Sequence, residues 1–434
     1  MHAENYRWVT GDQFGLAFPA DPVALRSSAP RFLTDAFRAS GVLANDNAVT
    51  SITRFREVAG GSTGRKVELS VEYDKEAPDL HTDLFVKFSR DFDNPMRDRG
   101  KTQMEWEVRF ARLSRAPGFP IAVPSVQFGD YHRQTGTGIL ITERIQFGAN
   151  GIERQYHKCL DYEMPEPLEH YRALLTALAR LAGTHRSGRL PADLTAHFPL
   201  DVQAATVGEQ APLSPDKLER RLTQLGEFVE TYPGLVPTNV RSPEFLARLR
   251  HEAPRLAHHE HTVAHQLAAD SDYVALCHWN ANIDNAWFWR DADGALRCGL
   301  MDWGCVSQMN LGMALWGAMS GAETDMWNDY LDELLHLFAT EFQRYGGPEL
   351  DPNRLRRHTL LYAGVMGLAW LLDVPALTRK RFAAPPSSRK DPRIKDDESV
   401  RAPLQMLSNL LNLWERYRLG DLLDAALTEG RRVS

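Results

Sequence analysis

The sequence predicts an α+β protein of two lobes: an N-terminal lobe of antiparallel strands with a helix, and a C-terminal lobe that is mostly helical. Three observations predict it. Short runs rich in β-branched residues, separated by glycine-containing turns, fill the chain as far as Ile145. Beyond Ile145 apolar residues recur at helical spacing almost throughout. The one late return of strand pattern, Ala286 to Met301, is a hairpin with polar residues at both of its ends. At 434 residues and 43% hydrophobic content the chain can fill more than one core, and single cores rarely grow past roughly 250–300 residues. The composition change places the lobe boundary between Ile145 and Gly148, giving lobes of 1–145 and 146–434.

Charge and hydropathy exclude several classes of function. Lys+Arg 50 against Asp+Glu 57 gives a net charge of −7, so no global basic field concentrates a phosphodiester backbone, and nucleic acid is not an expected partner. The longest apolar run, Leu360 to Leu372, contains two glycines and is shorter than the roughly 20 residues of a membrane helix. It reads as a buried helix, with no membrane partner. The start, around Asn5-Tyr-Arg-Trp-Val-Thr-Gly11, lacks a charged stretch followed by an apolar one, so a cytoplasmic protein is expected. Cys159, Cys277, Cys298 and Cys305 form no disulfide framework and read as reduced core thiols.

After a polar leader, Ala29 to Gly41 places Phe32, Leu33, Ala36 and Phe37 on one helical face, with Gly41 ending the helix. Ile52–Val58 and Lys66–Tyr73 are strands joined through Gly60-Gly61-Ser62-Thr63-Gly64. Glycines there let backbone N–H groups approach an anion and Ser/Thr hydroxyls add donors, although a plain turn has the same composition. No helix follows, which excludes a Walker or Rossmann phosphate loop. Leu84-Phe-Val-Lys87-Phe then sets an ammonium inside an apolar strand, where it needs a partner or a ligand. The helix at Glu105-Trp-Glu107-Val-Arg-Phe-Ala-Arg-Leu113, with Trp106, Phe110 and Leu113 inward, offers two glutamates as partner, Glu107 fitting better. Strands at Val123–Gly129 and Gly138–Ile145, around the turn-rich Asp130–Thr137, close the lobe.

In the second lobe Leu168–His185 is a helix with Leu174, Leu178 and Leu181 in register. Asp216–Thr231 and Ser242–Ala268 read as exposed amphipathic helices. The second carries His258, His259, His261 and His265, which read as a solvated face because no further ligand closes a metal set. Ala384–Arg401, rich in proline, serine and charge, reads as a mobile loop.

The chemistry concentrates in Ala275-Leu-Cys-His278-Trp-Asn280-Ala-Asn-Ile-Asp284-Asn285, followed after the Asp291–Gly294 turn by Gly299-Leu-Met-Asp302-Trp303-Gly304. The hairpin between them sets Asn285 and Asp302 at its two ends and so brings them together. An amide oxygen and a carboxylate are hard donors suited to Mg²⁺ that keeps waters and bridges phosphates. Trp279, Trp287, Trp289 and Trp303 cluster around this stretch, either as core or as the lining of a pocket for a bulky, partly apolar acceptor.

These residues resemble those of the aminoglycoside phosphotransferase and choline-kinase superfamily, which has a two-lobed protein-kinase-like fold, and most closely its ecdysteroid-kinase-like branch. The likeness runs from about Phe32 to Leu315. It implies an ATP- and Mg²⁺-dependent transfer of phosphate to a hydroxyl of a small molecule. It further implies that Gly60 to Gly64 cover the nucleotide phosphates and that Lys87, held by Glu107, contacts them. By the same likeness Glu143 to Ile145 would form the hinge near adenine, and Asn285 and Asp302 would ligate the metal. The departures lie where the family carries H-G-D, replaced here by His278-Trp279-Asn280, and in the stretch after Asp302, where Gln308 to Met313 lack two further carboxylates. An amide cannot take a proton from a hydroxyl, and a positioned base is worth ~10²–10⁴ in rate. Asp284 is the candidate substitute base, or else a residue that caps the loop and orients Asn285. His278 holds the loop backbone or acts as a base. The alternatives to a small-molecule kinase are a pseudokinase acting as regulator or scaffold, and an enzyme transferring another part of the nucleotide.

Overall fold

The computed structural model describes residues 7–205 and 214–433; residues 1–6 of the polar leader lie outside the described residues. The chain forms two compact units. The first comprises residues 1–150, 190–197 and 299–306, and the second residues 151–189, 198–298 and 307–434. The segment bearing Asp302 and Trp303 therefore folds with the first unit, where the sequence alone placed it in the C-terminal lobe.

The first unit opens with the strand pair β1 (Trp8–Thr10) and β2 (Ala17–Pro19), followed by α1 (Pro22–Ala39). This helix begins earlier than its apolar face suggests. Asp21 accepts the Ala24 N–H at 2.8 Å as its cap, and the helical path is interrupted at Ser28 (φ −145°), just ahead of Pro30. Gly41 ends it at φ 74°. Then come β3 (Val49–Val58), β4 (Arg65–Tyr73), β5 (Asp83–Phe88), the short α2 (Pro95–Asp98), α3 (Gln103–Leu113), β6 (Val126–His132) and β7 (Thr137–Glu143). The strands form one antiparallel sheet in the order β3-β4-β5-β7-β6.

Strand alternation divides the two faces of this sheet. Val67, Leu69 and Val71 of β4 and Leu84, Val86 and Phe88 of β5 pack with Leu25, Phe32, Leu33 and Phe37 of α1. On the opposite face Leu140 and Tyr131 pack with Met104, Val108 and Ala111 of α3. Lys87, out of phase with Val86 and Phe88, belongs to this second face. Trp106 does not point inward as the sequence suggested. It is half-exposed and stacks beneath the Arg109 guanidinium at 4.7 Å, because the buried stripe of α3 runs through 104, 107, 108, 110, 111 and 113.

The second unit begins its helical part with α4 (Pro167–Arg186); the chain then returns to the first unit for α5 (Ala192–Thr195). The expected helix over Ser242–Ala268 is two, α7 (Pro243–His258) and α8 (Glu260–Ala269), preceded by α6 (Pro215–Thr231). The break is at His259, whose N–H is shared between the Arg255 and Leu256 carbonyls at 3.1 Å each, a tightening typical of a helix end. Strands β8 (Val274–His278), β9 (Ala286–Arg290), β10 (Leu296–Leu300) and β11 (Val306–Asn310) carry the motif, with β8 paired to β11 and β9 to β10. Then follow α9 (Leu311–Met319), α10 (Thr324–Arg344), α11 (Pro352–Trp370), α12 (Val374–Arg381), α13 (Pro392–Lys395), α14 (Glu398–Arg416) and α15 (Leu419–Val433). Fully buried Trp316, Trp327 and Trp414 mark the core.

Ala384–Arg401 is not the open loop expected. Asp391 caps α13, Ile394 is buried, and α14 has already started at Glu398. Arg401, itself buried, donates to the Lys158 carbonyl at 2.9 Å. Two apolar anchors, Ile394 and Val400, hold a segment whose composition otherwise reads as loop. Among the described residues no single helix is long and apolar enough to cross a membrane.

Candidate active site

In the first unit the Lys87 ammonium is hydrogen-bonded to Glu107 Oε1 at 2.5 Å and to Asp302 Oδ1 at 2.7 Å. Strand alternation sends Lys87 to the α3 face, and the helical stripe brings Glu107 down to meet it, whereas Glu105 turns to Arg109 (2.6 Å) and Arg133 (2.7 Å). Burial works against the Lys87 charge, but the Asp302 and Glu107 carboxylates outweigh it and hold the ammonium above the ordinary lysine range. Burial pushes the Glu107 carboxyl up, Lys87 pulls it down, and the balance is a raised value. Asp302 sits in the left-handed region (φ 66°) at the start of a tight turn whose Trp303 N–H donates to Glu107 Oε1 at 3.2 Å. Glu107 thus gathers both the strand lysine and the Asp302 turn.

The glycine turn between β3 and β4 stands beside this pair. Gly60, Gly61 and Gly64 have φ of 111°, 77° and 50°. A Cβ on Gly64 would fall 1.7 Å from the Phe88 carbonyl oxygen, so the turn can close onto β5 only with glycine there. Ser62 and Thr63 lie between these glycines. Two cations here escaped the sequence reading. Lys66 is the direct cross-strand neighbour of Lys87, on the same face of the sheet. Arg97, next to the turn, donates to the Gly60 carbonyl at 3.0 Å. The signal for Lys66 was the hairpin register, which sequence spacing alone leaves open, and Arg97, on α2, had none. Glu143, at the end of β7, accepts the Ser125 N–H at 2.8 Å; Ile145, two residues on, is half-buried.

In the second unit His278 ends β8 fully buried, and its Nδ1 accepts the Asn280 N–H at 3.1 Å. Asn280 Oδ1 accepts from Asn282 Nδ2 at 2.6 Å, and the Asn280 carbonyl accepts from Asn285 Nδ2 at 2.8 Å. With the Asn285 nitrogen committed to the loop, its amide oxygen is the atom a metal can take. The loop is further fixed by Trp279, whose indole N–H donates to the Tyr362 hydroxyl at 2.7 Å. Asp284 pairs with Lys158 at 3.7 Å, a lysine with no motif to announce it. Met309 and Met313, which stand where the related pattern carries carboxylates, are buried, and Asn310 between them caps α9 through the Gly312 N–H and donates to the Leu267 carbonyl. Of the four tryptophans, Trp287 and Trp303 are buried while Trp279 and Trp289 are half-buried.

Also in this unit, the Asp161 carboxyl is buried and pushed up to about 7, burial being the main cause, with Glu323 and Asp284 adding to it and the Tyr171 hydroxyl, 2.7 Å away, opposing. The thiols of Cys159, Cys277 and Cys298 are buried and raised by that burial, so they are inert as nucleophiles.

No family model and no curated protein matches the chain. Solved structures do. A choline/ethanolamine kinase family protein from Mesorhizobium loti is 15% identical over 86% of this chain and 92% of its own, with a TM-score of 0.42. A microcompartment-associated aminopropanol kinase is 12% identical over 90% and 98%, with a TM-score of 0.43. A choline kinase from Cryptosporidium parvum is 12% identical over 93% and 96%, with a TM-score of 0.42. What the chain does has to be read from its own side chains.

Proposed function

We propose that the protein is an ATP-dependent phosphotransferase acting on a hydroxyl of a small molecule, with Asn280 standing where such enzymes carry aspartate. The narrower likeness to the ecdysteroid-kinase-like branch belongs to this proposal. What carries it is the Lys87–Glu107 pair at 2.5 Å, a buried ammonium held on the sheet face beside a turn of three left-handed glycines. That donor set fits a nucleoside triphosphate, whose phosphates need cations and bare backbone N–H groups. The Asp302 carboxylate and the Asn285 amide oxygen are the hard donors that suit Mg²⁺. Bound ATP·Mg²⁺ would supply the phosphoryl group and part of the charge neutralisation. Gly60 to Gly64 then cover the phosphates, Lys87 neutralises them, Glu107 keeps Lys87 in place, and Glu143 to Ile145 border the base.

The Asn280 side chain accepts a hydrogen bond from Asn282 and has no basic atom for a hydroxyl proton. Asp284 is the carboxylate in this loop that can take that proton, with Lys158 beside it and His278 holding the loop backbone. Transfer through a loose transition state depends chiefly on positioning and charge, so the loss of one base slows such an enzyme without removing its nucleotide machinery. The same Asn280 favours a second reading, a pseudokinase that binds nucleotide and acts as a regulator or scaffold. A mass-spectrometric screen of hydroxylated metabolites incubated with ATP·Mg²⁺ decides between them. A gain of one phosphate supports the enzyme, an ATP-induced thermal shift without any product supports the pseudokinase, and a gain of AMP means transfer of the other end of the nucleotide. A protein that neither binds nor turns over ATP overturns both readings.

A further inference from the structure

Lys66 has a place that its surroundings do not explain. Its ammonium makes one hydrogen bond among the described residues, a long 3.4 Å contact to the Gly60 carbonyl. Around it stand the Lys87 ammonium across the strand pair and the Arg97 guanidinium, which holds the same Gly60 carbonyl at 3.0 Å. Glu107 and Asp302 lie within electrostatic reach, but both are bound by Lys87. Three cations thus converge beside the glycine turn; Lys87 holds Glu107 and Asp302, Arg97 pairs with Asp91 at 3.6 Å, and Lys66 has no carboxylate at ion-pair distance among the described residues.

A lysine in that setting has lost much of its water and gained no carboxylate within hydrogen-bonding distance, which is costly unless an anion completes the site. The turn is shaped around it. A Cβ on Gly61 would come within 1.8 Å of Lys66 Nζ, so the backbone of the turn passes directly over the ammonium. Where backbone and ammonium meet so closely, both can address one bound group. Burial, and Lys87 after it, also lower the affinity of Lys66 for its proton, as expected of a cation still waiting for its anion.

We infer that Lys66 is a second phosphate-binding lysine of the nucleotide site, taking the terminal phosphates of a nucleoside triphosphate beneath the glycine turn together with Lys87. This rests on the nucleotide-binding reading above and goes beyond it in assigning a residue and a preference. With two ammonium groups side by side, affinity rises steeply with the number of phosphates. Lys66 moves from the Gly60 carbonyl to phosphate oxygen on binding, and the side chain of Arg97 keeps that carbonyl in place.

The test is calorimetric binding of ATP, ADP and adenosine, with and without Mg²⁺, to the wild type, Lys66→Gln and Lys66→Arg. A charged hydrogen bond lost to phosphate corresponds to roughly a 10- to 100-fold weaker Kd for ATP. In Lys66→Gln that loss is expected for ATP, with a smaller loss for ADP, none for adenosine, and substantial recovery in Lys66→Arg. The unchanged adenosine affinity certifies the folded site. An ATP affinity within twofold of wild type in Lys66→Gln overturns the assignment and leaves the nucleotide reading standing. Equal losses for ATP and adenosine overturn it as well, because they mark a structural lysine. A wild type that binds none of the three overturns both.

Discussion

Trp303 lies flat on Phe110, ring centroids 3.7 Å apart and planes 15° from parallel. The contact joins the residue after Asp302 to the helix that carries Glu107. The Trp303 indole N–H also donates to the Leu300 carbonyl at 3.0 Å. A non-glycine residue at φ 66°, as Asp302 is, costs of order 1–3 kcal/mol and persists only where neighbours hold it. The stacked pair is one such neighbour, and it fixes the direction in which the Asp302 carboxylate leaves the chain.

Trp303→Ala is therefore expected to lower stability by about 3–5 kcal/mol, as for other buried aromatic truncations. Trp303→Phe should avoid much of that loss, since an aromatic ring still stacks on Phe110. Thermal unfolding of the two variants checks this, and equal midpoints for Trp303→Ala and wild type would show that the turn is held by something else.

For the nucleotide site, Lys87→Met and Asp302→Ala are each expected to weaken ATP·Mg²⁺ binding while the protein remains folded. Asp302→Ala should in addition abolish any dependence of that binding on magnesium. Calorimetry with unchanged affinity in both variants would remove Lys87 and Asp302 from the site.

The missing base makes opposite predictions for an adapted enzyme and a degenerate one. If the loop is fitted to the neutral Asn280 amide, a further negative charge near phosphate is unfavourable and Asn280→Asp gives no gain in turnover. Asp284→Ala then costs roughly 10²-fold or more if that carboxylate takes the proton. Single-turnover kinetics read both. A large gain in Asn280→Asp would mean that the chain lost only its base, and an unaffected Asp284→Ala would eliminate Asp284.

Asp161 makes stability depend on pH. Its carboxyl is pushed up to about 7 in the folded protein from an ordinary 3.8, chiefly by burial. The folded state therefore holds the proton more tightly than the unfolded one. The stabilisation is complete below the unfolded value and is lost as pH rises through about 7. Asp161→Asn, which keeps an oxygen for the Tyr171 hydroxyl, is expected to flatten the fall in stability between acid and neutral pH by roughly 1–3 kcal/mol. Urea unfolding across that range measures it, and parallel profiles for variant and wild type would place the dependence elsewhere.

The strands of the first unit and most helices of the second are legible in the sequence because each has one dominant period. Lys87 is legible for the opposite reason, as the charge that interrupts an apolar strand, and helical spacing separates Glu107 from Glu105. Lys66 stays hidden because a lysine on an alternating strand looks like any solvated residue until the hairpin register sets it opposite Lys87. Lys158 and Asp161 are invisible in the same way, as their meaning comes from partners more than a hundred residues away or from burial. The kink at Ser28 and the break at His259 are backbone events inside patterns that read as continuous.

The first unit takes its last piece, residues 299–306, from far along the chain. At synthesis rates of ~5–20 residues per second, roughly 8–30 s separate the appearance of residue 150 from that of residue 306. Throughout that interval the nascent first unit has its sheet and α3 but not Trp303, so Phe110 keeps the edge contact with Phe119 but not the ring stacked on its face, and Lys87 lacks one of its two carboxylates. Any truncation before residue 299 leaves the face of Phe110 without its stacked ring and Lys87 without Asp302 for good.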